Sequence, residues 1–243
     1  MPKPVFTLSM TPRHGLRAAV LAAGCLHLAS THAARPMNTD DARIVDAKAC
    51  QLETWVRKNR DSTEFWALPA CNPTGEFELT VGGTRTTDKT QDHSAALQMQ
   101  LKTLFKPLEP NGWGVGLALG TFRNNGPVGG YEPYLYVPMS WSLRQDDSVV
   151  LHTNLGWLRD HQVRKHHLTW GAASEVQVSP RTWLIGEVFG QNTGKPSYQV
   201  ALRYWIVPNR VQVDTTYGNR FGSGSGDRWF SVGLRLLSPP FLP

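Results

Sequence analysis

The chain has 243 residues, enough for one sizeable domain and tight for two. Its formal net charge of +6 comes from only 18% charged residues, and no Lys/Arg stripe is interleaved with aromatics, which argues against a nucleic-acid partner. Glycine (22), proline (17) and tryptophan (9) are plentiful, a composition suited to strands, turns and interfacial aromatics rather than helices.

Taken in chain order, Arg13 and Arg17 precede the apolar run Ala18-Ala19-Val20-Leu21-Ala22-Ala23-Gly24-Cys25-Leu26, and Thr31-His32-Ala33 offers a small-residue cleavage site. The run is too short for a membrane helix, so residues 1–33 are expected to be a secretory signal peptide. Residues 34–46 then form an N-terminal periplasmic segment and residues 47–243 the folded domain. Leu21 to Cys25 also has the form of a lipoprotein box with Ala22 in the position favoured for Leu, which leaves lipidation of Cys25 open.

Export places Cys50 and Cys71 where disulfides persist. A turn at Asn59-Arg60-Asp61-Ser62, centred between Arg60 and Asp61, sets the two cysteines directly opposite each other, at a separation that suits a disulfide. The alternative is a pair of separate thiols. No CxxC spacing accompanies them, and no metal or cofactor is expected.

Beyond Cys50, apolar and polar residues alternate with period two, segment after segment. Tyr131, Pro133, Leu135, Val137, Met139, Trp141 and Leu143 fall on one face; Glu132, Tyr134, Tyr136, Pro138, Ser140 and Ser142 fall on the other. The same pattern holds for Phe77/Leu79/Val81 against Glu78 and for Leu97/Met99/Leu101 against Lys102. It recurs for Leu168/Trp170 against Glu175, Val200/Leu202/Tyr204 against Arg203, Val211/Val213 against Asp214, and Val232/Leu234 against Arg235. Segment 181–190 is ambiguous, because Trp183, Ile185 and Phe189 share a face with Glu187. Twelve strands are predicted, near 48–58, 62–71, 75–86, 94–105, 112–123, 131–143, 148–158, 167–178, 182–190, 197–206, 210–218 and 228–237. An even count puts both termini on one side of a closed antiparallel transmembrane barrel. Trp113, Tyr131, Trp141, Trp157, Tyr198 and Tyr217 fall near strand ends, as interfacial aromatics do.

Connections of alternating length support the membrane reading. Those at Arg144–Asp147, Ser179–Arg181 and Val207–Asn209 are tight, whereas Arg123–Gly130, Arg159–His166 and Asn219–Asp227 are long. The turn near Arg60 and the stretch Lys106–Asn111 fit this alternation poorly.

Two stretches carry a family resemblance. One is the mature opening Arg35-Pro36-Met37-Asn38-Thr39-Asp40-Asp41-Ala42, running on to Cys50-Gln51-Leu52-Glu53. The other extends from Ser174-Glu175 through Trp183–Gly190, Ala201–Tyr204 and Val213–Gly218 to Phe230–Leu234. Both resemble outer-membrane proteins named for the MetA pathway of phenol degradation, and related transporter-like barrels. The resemblance implies passage of small solutes, hydrophobic or aromatic ones among them, across the bacterial outer membrane. The tail Ser238–Pro243 after Leu237 departs from barrels that end on an aromatic residue.

The polar faces are expected to line a lumen with Glu53, Glu78, Lys102, Glu132, Glu175, Glu187, Arg203, Asp214 and Arg235, either as a passage or as a plugged interior of ion pairs. Three functions stand: a membrane barrel passing or binding small solutes, a soluble periplasmic β-barrel holding an apolar ligand inside, and an outer-membrane lipid hydrolase. The soluble barrel requires apolar faces inward. The hydrolase requires a serine such as Ser140 or Ser174 beside His152, without a G-x-S-x-G signature to support it, and the reading adopted is not an enzyme. Expected partners are outer-membrane lipid and lipopolysaccharide, the barrel-assembly machinery and a small solute. The charged stretch Arg159–His167 is the segment that would meet lipopolysaccharide.

Overall fold

In a computed structural model, which describes residues 36–89, 93–125 and 129–243, twelve strands close into one barrel. They are β1 (Ala49–Asn59), β2 (Ser62–Asn72), β3 (Phe77–Asp88), β4 (His93–Lys106), β5 (Trp113–Asn124), β6 (Gly130–Ser142), β7 (Val149–Asp160), β8 (Lys165–Ser179), β9 (Thr182–Gln191), β10 (Ser197–Val207), β11 (Val211–Arg220) and β12 (Trp229–Leu237). Each pairs antiparallel with its sequence neighbour, and β1 pairs with β12, from Gln51 opposite Leu237 to Asn59 opposite Trp229, to close the ring. Closure gives every strand two partners, which bilayer hydrocarbon demands because it offers no water to an open edge.

The alternation read from the sequence sorts side chains between two environments. Leu97, Met99, Leu119, Leu135, Leu155, Leu168, Val200, Leu202 and Val232 lie exposed on the outside, whereas Gln98, Gln100, Lys102, Tyr136, Ser140, His152 and Gln212 are buried within. This is the reverse of a soluble protein, and it overturns the soluble periplasmic barrel, which needs the apolar faces inside. Aromatics lie towards both ends of the outer surface: Trp113 opposite Trp141 on the side of the termini, and Tyr131, Trp157 and Tyr217 on the far side. Lys106 sits 3.9 Å over the Trp113 ring, and Arg123 lies 5.7 Å from that of Tyr131. Basic groups beside amphipathic rings suit the headgroup layers.

The ambiguous segment is settled by its pairing. Glu187 lies opposite Gln199 and Ala173, and Ile185 opposite Ala201, so Ile185 and Glu187 both point into the barrel. An inward isoleucine blurs the polar face there because part of the interior is apolar.

The expected contrast in loop lengths holds only in part: the connections 180–181 and 208–210 are tight and 221–228 is long, whereas 143–148 is longer than expected and several far-side connections are short. On the far side, Arg159 and Asp160 complete β7 while Lys165, His166 and His167 begin β8, leaving 161–164 as the turn. The far-side strands run on as hydrogen-bonded hairpins, since a ladder tolerates polar residues that a hydropathy pattern reads as loop. At the turn between β1 and β2, Lys89 Nζ donates to Asp61 at 2.6 Å and holds that carboxyl below its usual range.

Cys50 and Cys71 are bonded, directly opposite each other on β1 and β2. The tail after β12 turns back over the start of β1: the amide of Ser238 donates to the Cys50 carbonyl at 2.9 Å, and that of Phe241 to Lys48 at 2.8 Å.

Candidate functional site

Residues 36–48 carry no strand or helix, yet Pro36, Met37, Thr39, Asp40, Asp41, Ala42 and Val45 are buried. The stretch assigned to the periplasm therefore lies inside the ring of strands, entering from the side of the termini. A segment without its own ladder must satisfy its backbone from the wall, and the lumen supplies the acceptors. Glu187 accepts from the amide of Asn38, at 2.9 and 3.0 Å, and from that of Thr39. Gln199 donates to the Pro36 carbonyl at 2.8 Å. Ser140 Oγ accepts from the Ala42 amide at 2.8 Å, and Glu78 from that of Val45 at 2.9 Å. Asn72 donates to the Val45 carbonyl at 2.7 Å. Met37 completes the fit, packing with Ala173, Ile185 and Ala201 on the wall.

The charged centre lies at Asp40 and Asp41. Lys102 Nζ donates to Asp40 at 2.8 Å and to Asp41 at 3.3 Å, with Lys102 and Asp40 almost fully buried. The Tyr136 hydroxyl donates to the second Asp40 oxygen at 2.7 Å. Two wall glutamines and a second tyrosine support that grip: Gln98 donates to the Tyr134 hydroxyl at 2.8 Å, and Gln100 accepts from Tyr134 at 2.9 Å and from Tyr136 at 3.2 Å. Arg43 pairs with Asp147 at the rim.

The nine polar candidates divide into groups. Glu78 and Lys102, opposite each other on β3 and β4, hold the inner segment, as does Glu187. Glu175 accepts from Arg203 at 2.7 Å, and Arg203 lies opposite Asp214 on the next strand. Glu53 lies opposite Arg235 at 3.3 Å, where Gln51 also accepts from the guanidinium. Glu132 stands apart near the far rim, within reach of Asn124 and His161.

Ser140 and His152 are brought together across β6 and β7, at 2.8 Å, with Glu175 3.7 Å from the other ring nitrogen. Composition resembles that of a nucleophilic triad, but Ser140 is wholly buried and already accepts from Ala42. Ser174 pairs with Leu151 and takes no part. The arrangement braces the inner segment. Ser140→Ala is expected to cost about 1–3 kcal/mol, measured by urea unfolding, because the buried Ala42 amide loses its acceptor.

Above the inner segment, the far half of the interior is aromatic. Trp55 and Trp66 stack at 5.1 Å with planes 6° apart, Phe122 lies 5.3 Å from Tyr134, and Phe189 lies 6.2 Å from Trp229, over which Arg57 sits at 4.4 Å. Gly218 permits this: a Cβ there would come within 2.1 Å of the Trp229 ring. The sequence reading missed this cluster, although Trp55, Trp66 and Trp229 break the rule that inward positions are polar, which is the signal that marks them.

A family model described as "Uncharacterised conserved protein UCP029691" matches residues 21–237. No curated protein matches the chain. Among solved structures, the KdgM porin superposes with a TM-score of 0.57 at 12% identity, covering 76% of this chain and 98% of that one. For the NanC porin the TM-score is 0.57 at 10% identity, covering 77% and 98%. For the outer-membrane protein Omp33 of Acinetobacter baumannii it is 0.51 at 9%, covering 77% and 96%. At such identities the likeness shows the fold, that of an outer-membrane barrel. The matching family is not the phenol-degradation grouping, while the barrel class which that resemblance implied stands.

Proposed function

We propose that this chain, which belongs to the family of conserved proteins UCP029691, binds and passes small solutes through a barrel set in the bacterial outer membrane. One observation carries the reading: the ring is apolar outside and encloses a polar interior whose far half is aromatic. Trp55, Trp66, Phe122, Phe189 and Trp229 turn their apolar faces into that half, where Trp55 stacks on Trp66 and the Arg57 guanidinium lies over Trp229. Such faces suit small solutes with an apolar or aromatic surface. The finer reading, that the barrel is not an enzyme, is supported by the burial and full engagement of Ser140.

In this reading, residues 1–33 direct export, and the barrel-assembly machinery inserts the mature chain. The turn at 161–164, flanked by Arg159 and Lys165, meets lipopolysaccharide. Signal peptide, cleavage site and Cys25 all lie outside the described residues.

The test is solute efflux from proteoliposomes holding the folded protein, with heat-modifiability on gels confirming closure. Release of sorbitol above that from protein-free vesicles is the expected result. Replacing Trp55 and Trp66 with alanine should also weaken, by about tenfold, the tryptophan-fluorescence response to added phenol, since stacking contributes roughly 0.5–1.5 kcal/mol per pair. A folded protein that releases nothing and shows no such response sinks the reading.

A further inference from the structure

We propose that residues 36–45 form a releasable plug, and that the Asp40 carboxylate holds the place of a small carboxylate-bearing solute. The inference rests on the solute-passing reading and names a solute class for it.

Asp40 supplies a carboxylate to groups that belong to the wall. The Lys102 ammonium approaches one oxygen at 2.8 Å and the Tyr136 hydroxyl the other at 2.7 Å. Both groups are buried, and both are set by strand register rather than by the plug: Lys102 lies opposite Glu78 and Ala118, and Tyr136 opposite Ala118 and Gly156. Gln100 further holds the Tyr136 hydroxyl. The wall therefore presents a cation and a hydroxyl at fixed positions, and a carboxylate arriving from solution can make the same two bonds. Charge-assisted bonds of this kind are among the stronger ones available to a buried site.

The plug is held in a way that permits exchange. It adds no strand to the barrel, and the ring is closed without it. Apart from the apolar packing of Met37, the contacts named for it are hydrogen bonds and ion pairs from separate strands, at Glu187, Gln199, Lys102, Ser140 and Glu78, each to a group that water also satisfies. A tethered carboxylate competes at an effective concentration in the millimolar range, so an incoming carboxylate displaces it only when comparably abundant. The lumen then passes neutral solutes only while the plug opens transiently, and opens further as carboxylate solutes accumulate.

The experiment uses the full chain in proteoliposomes and follows efflux of gluconate and sorbitol, six-carbon solutes that differ in a carboxylate. Two folded variants are compared with wild type, each checked by heat-modifiability. In Thr39→Cys/Gly171→Cys the plug is to be locked: the Cβ of a residue at 171 would lie 3.2 Å from Thr39 Cβ, a few tenths of an ångström inside disulfide spacing. Oxidation of this variant should cut efflux of both solutes at least about tenfold, and dithiothreitol should restore it. Wild type taken through the same treatment controls for the Cys50–Cys71 bond. In Asp40→Asn, which vacates the charge but keeps the shape, the gluconate-to-sorbitol ratio should rise several-fold.

An oxidised lock that passes solutes as freely as wild type overturns the plug while leaving solute passage intact. An unchanged ratio in Asp40→Asn overturns the carboxylate site. No efflux from wild type, Asp40→Asn or the reduced lock overturns the passage reading itself.

Discussion

Lys102→Met is expected to lower the stability of the folded protein by about 3–5 kcal/mol, the usual cost of removing one partner from a buried ion pair. Lys102 is the cation nearest to Asp40 and Asp41, and it lies opposite Glu78 across the β3–β4 ladder. Without it, three carboxylates share a buried region. Urea unfolding of the detergent-refolded protein, followed by the mobility shift on gels, measures the loss. Combining Lys102→Met with Asp40→Asn and Asp41→Asn should recover most of it, since neutral amides require no counter-charge. A single-variant loss below about 1 kcal/mol would mean that these charges are hydrated, as surface pairs are, and would contradict a tightly filled lumen.

How far the molecule is legible in its sequence depends on whether a residue's environment is periodic. Strand alternation reports a two-sided environment, and both sides of this wall are consistent over long stretches, as from Tyr131 to Leu143. Register followed from one turn: a centre between Arg60 and Asp61 sets Cys50 against Cys71, which is the pairing in the barrel. Segment 181–190 resisted because Ile185 meets Met37 inside, so its inner face is part apolar. The wall carboxylates and cations were visible as the polar halves of strands, but their grouping was not. Arg203 reaches Glu175 across the intervening β9, a neighbourhood that barrel closure and tilt create and that spacing along the chain does not encode.

The inner segment was invisible for a related reason. Its partners come from β2, β3, β4, β6, β9 and β10, so no period of its own shows which residues are buried. What the sequence did offer was Asp40-Asp41, an acidic pair ahead of a barrel whose interior carries Lys102, Arg203 and Arg235. Loop lengths misled because hydrogen-bonded hairpins continue through polar residues such as Arg159 and Lys165.

Replacing both Cys50 and Cys71 with alanine is expected to destabilise the protein by about 3 kcal/mol, from the chain entropy released in the unfolded state by opening a loop of 21 residues. The bond closes the hairpin of β1 and β2 at the end where the plug enters and where Lys48 meets both the Asn72 carbonyl and the C-terminal tail. Its loss therefore acts in two places. Globally, the urea midpoint falls, and wild type treated with reductant falls to the same value. Locally, Asn72, which follows Cys71 and donates to the Val45 carbonyl, loses a neighbour that fixes its strand, so protection of the Val45 amide from hydrogen exchange should drop more than that of β7 amides. Equal loss of protection in both places would confine the bond's role to the unfolded chain. A larger loss at Val45 would make the first hairpin the frame against which the inner segment is seated, joining oxidation after export to closure of the lumen.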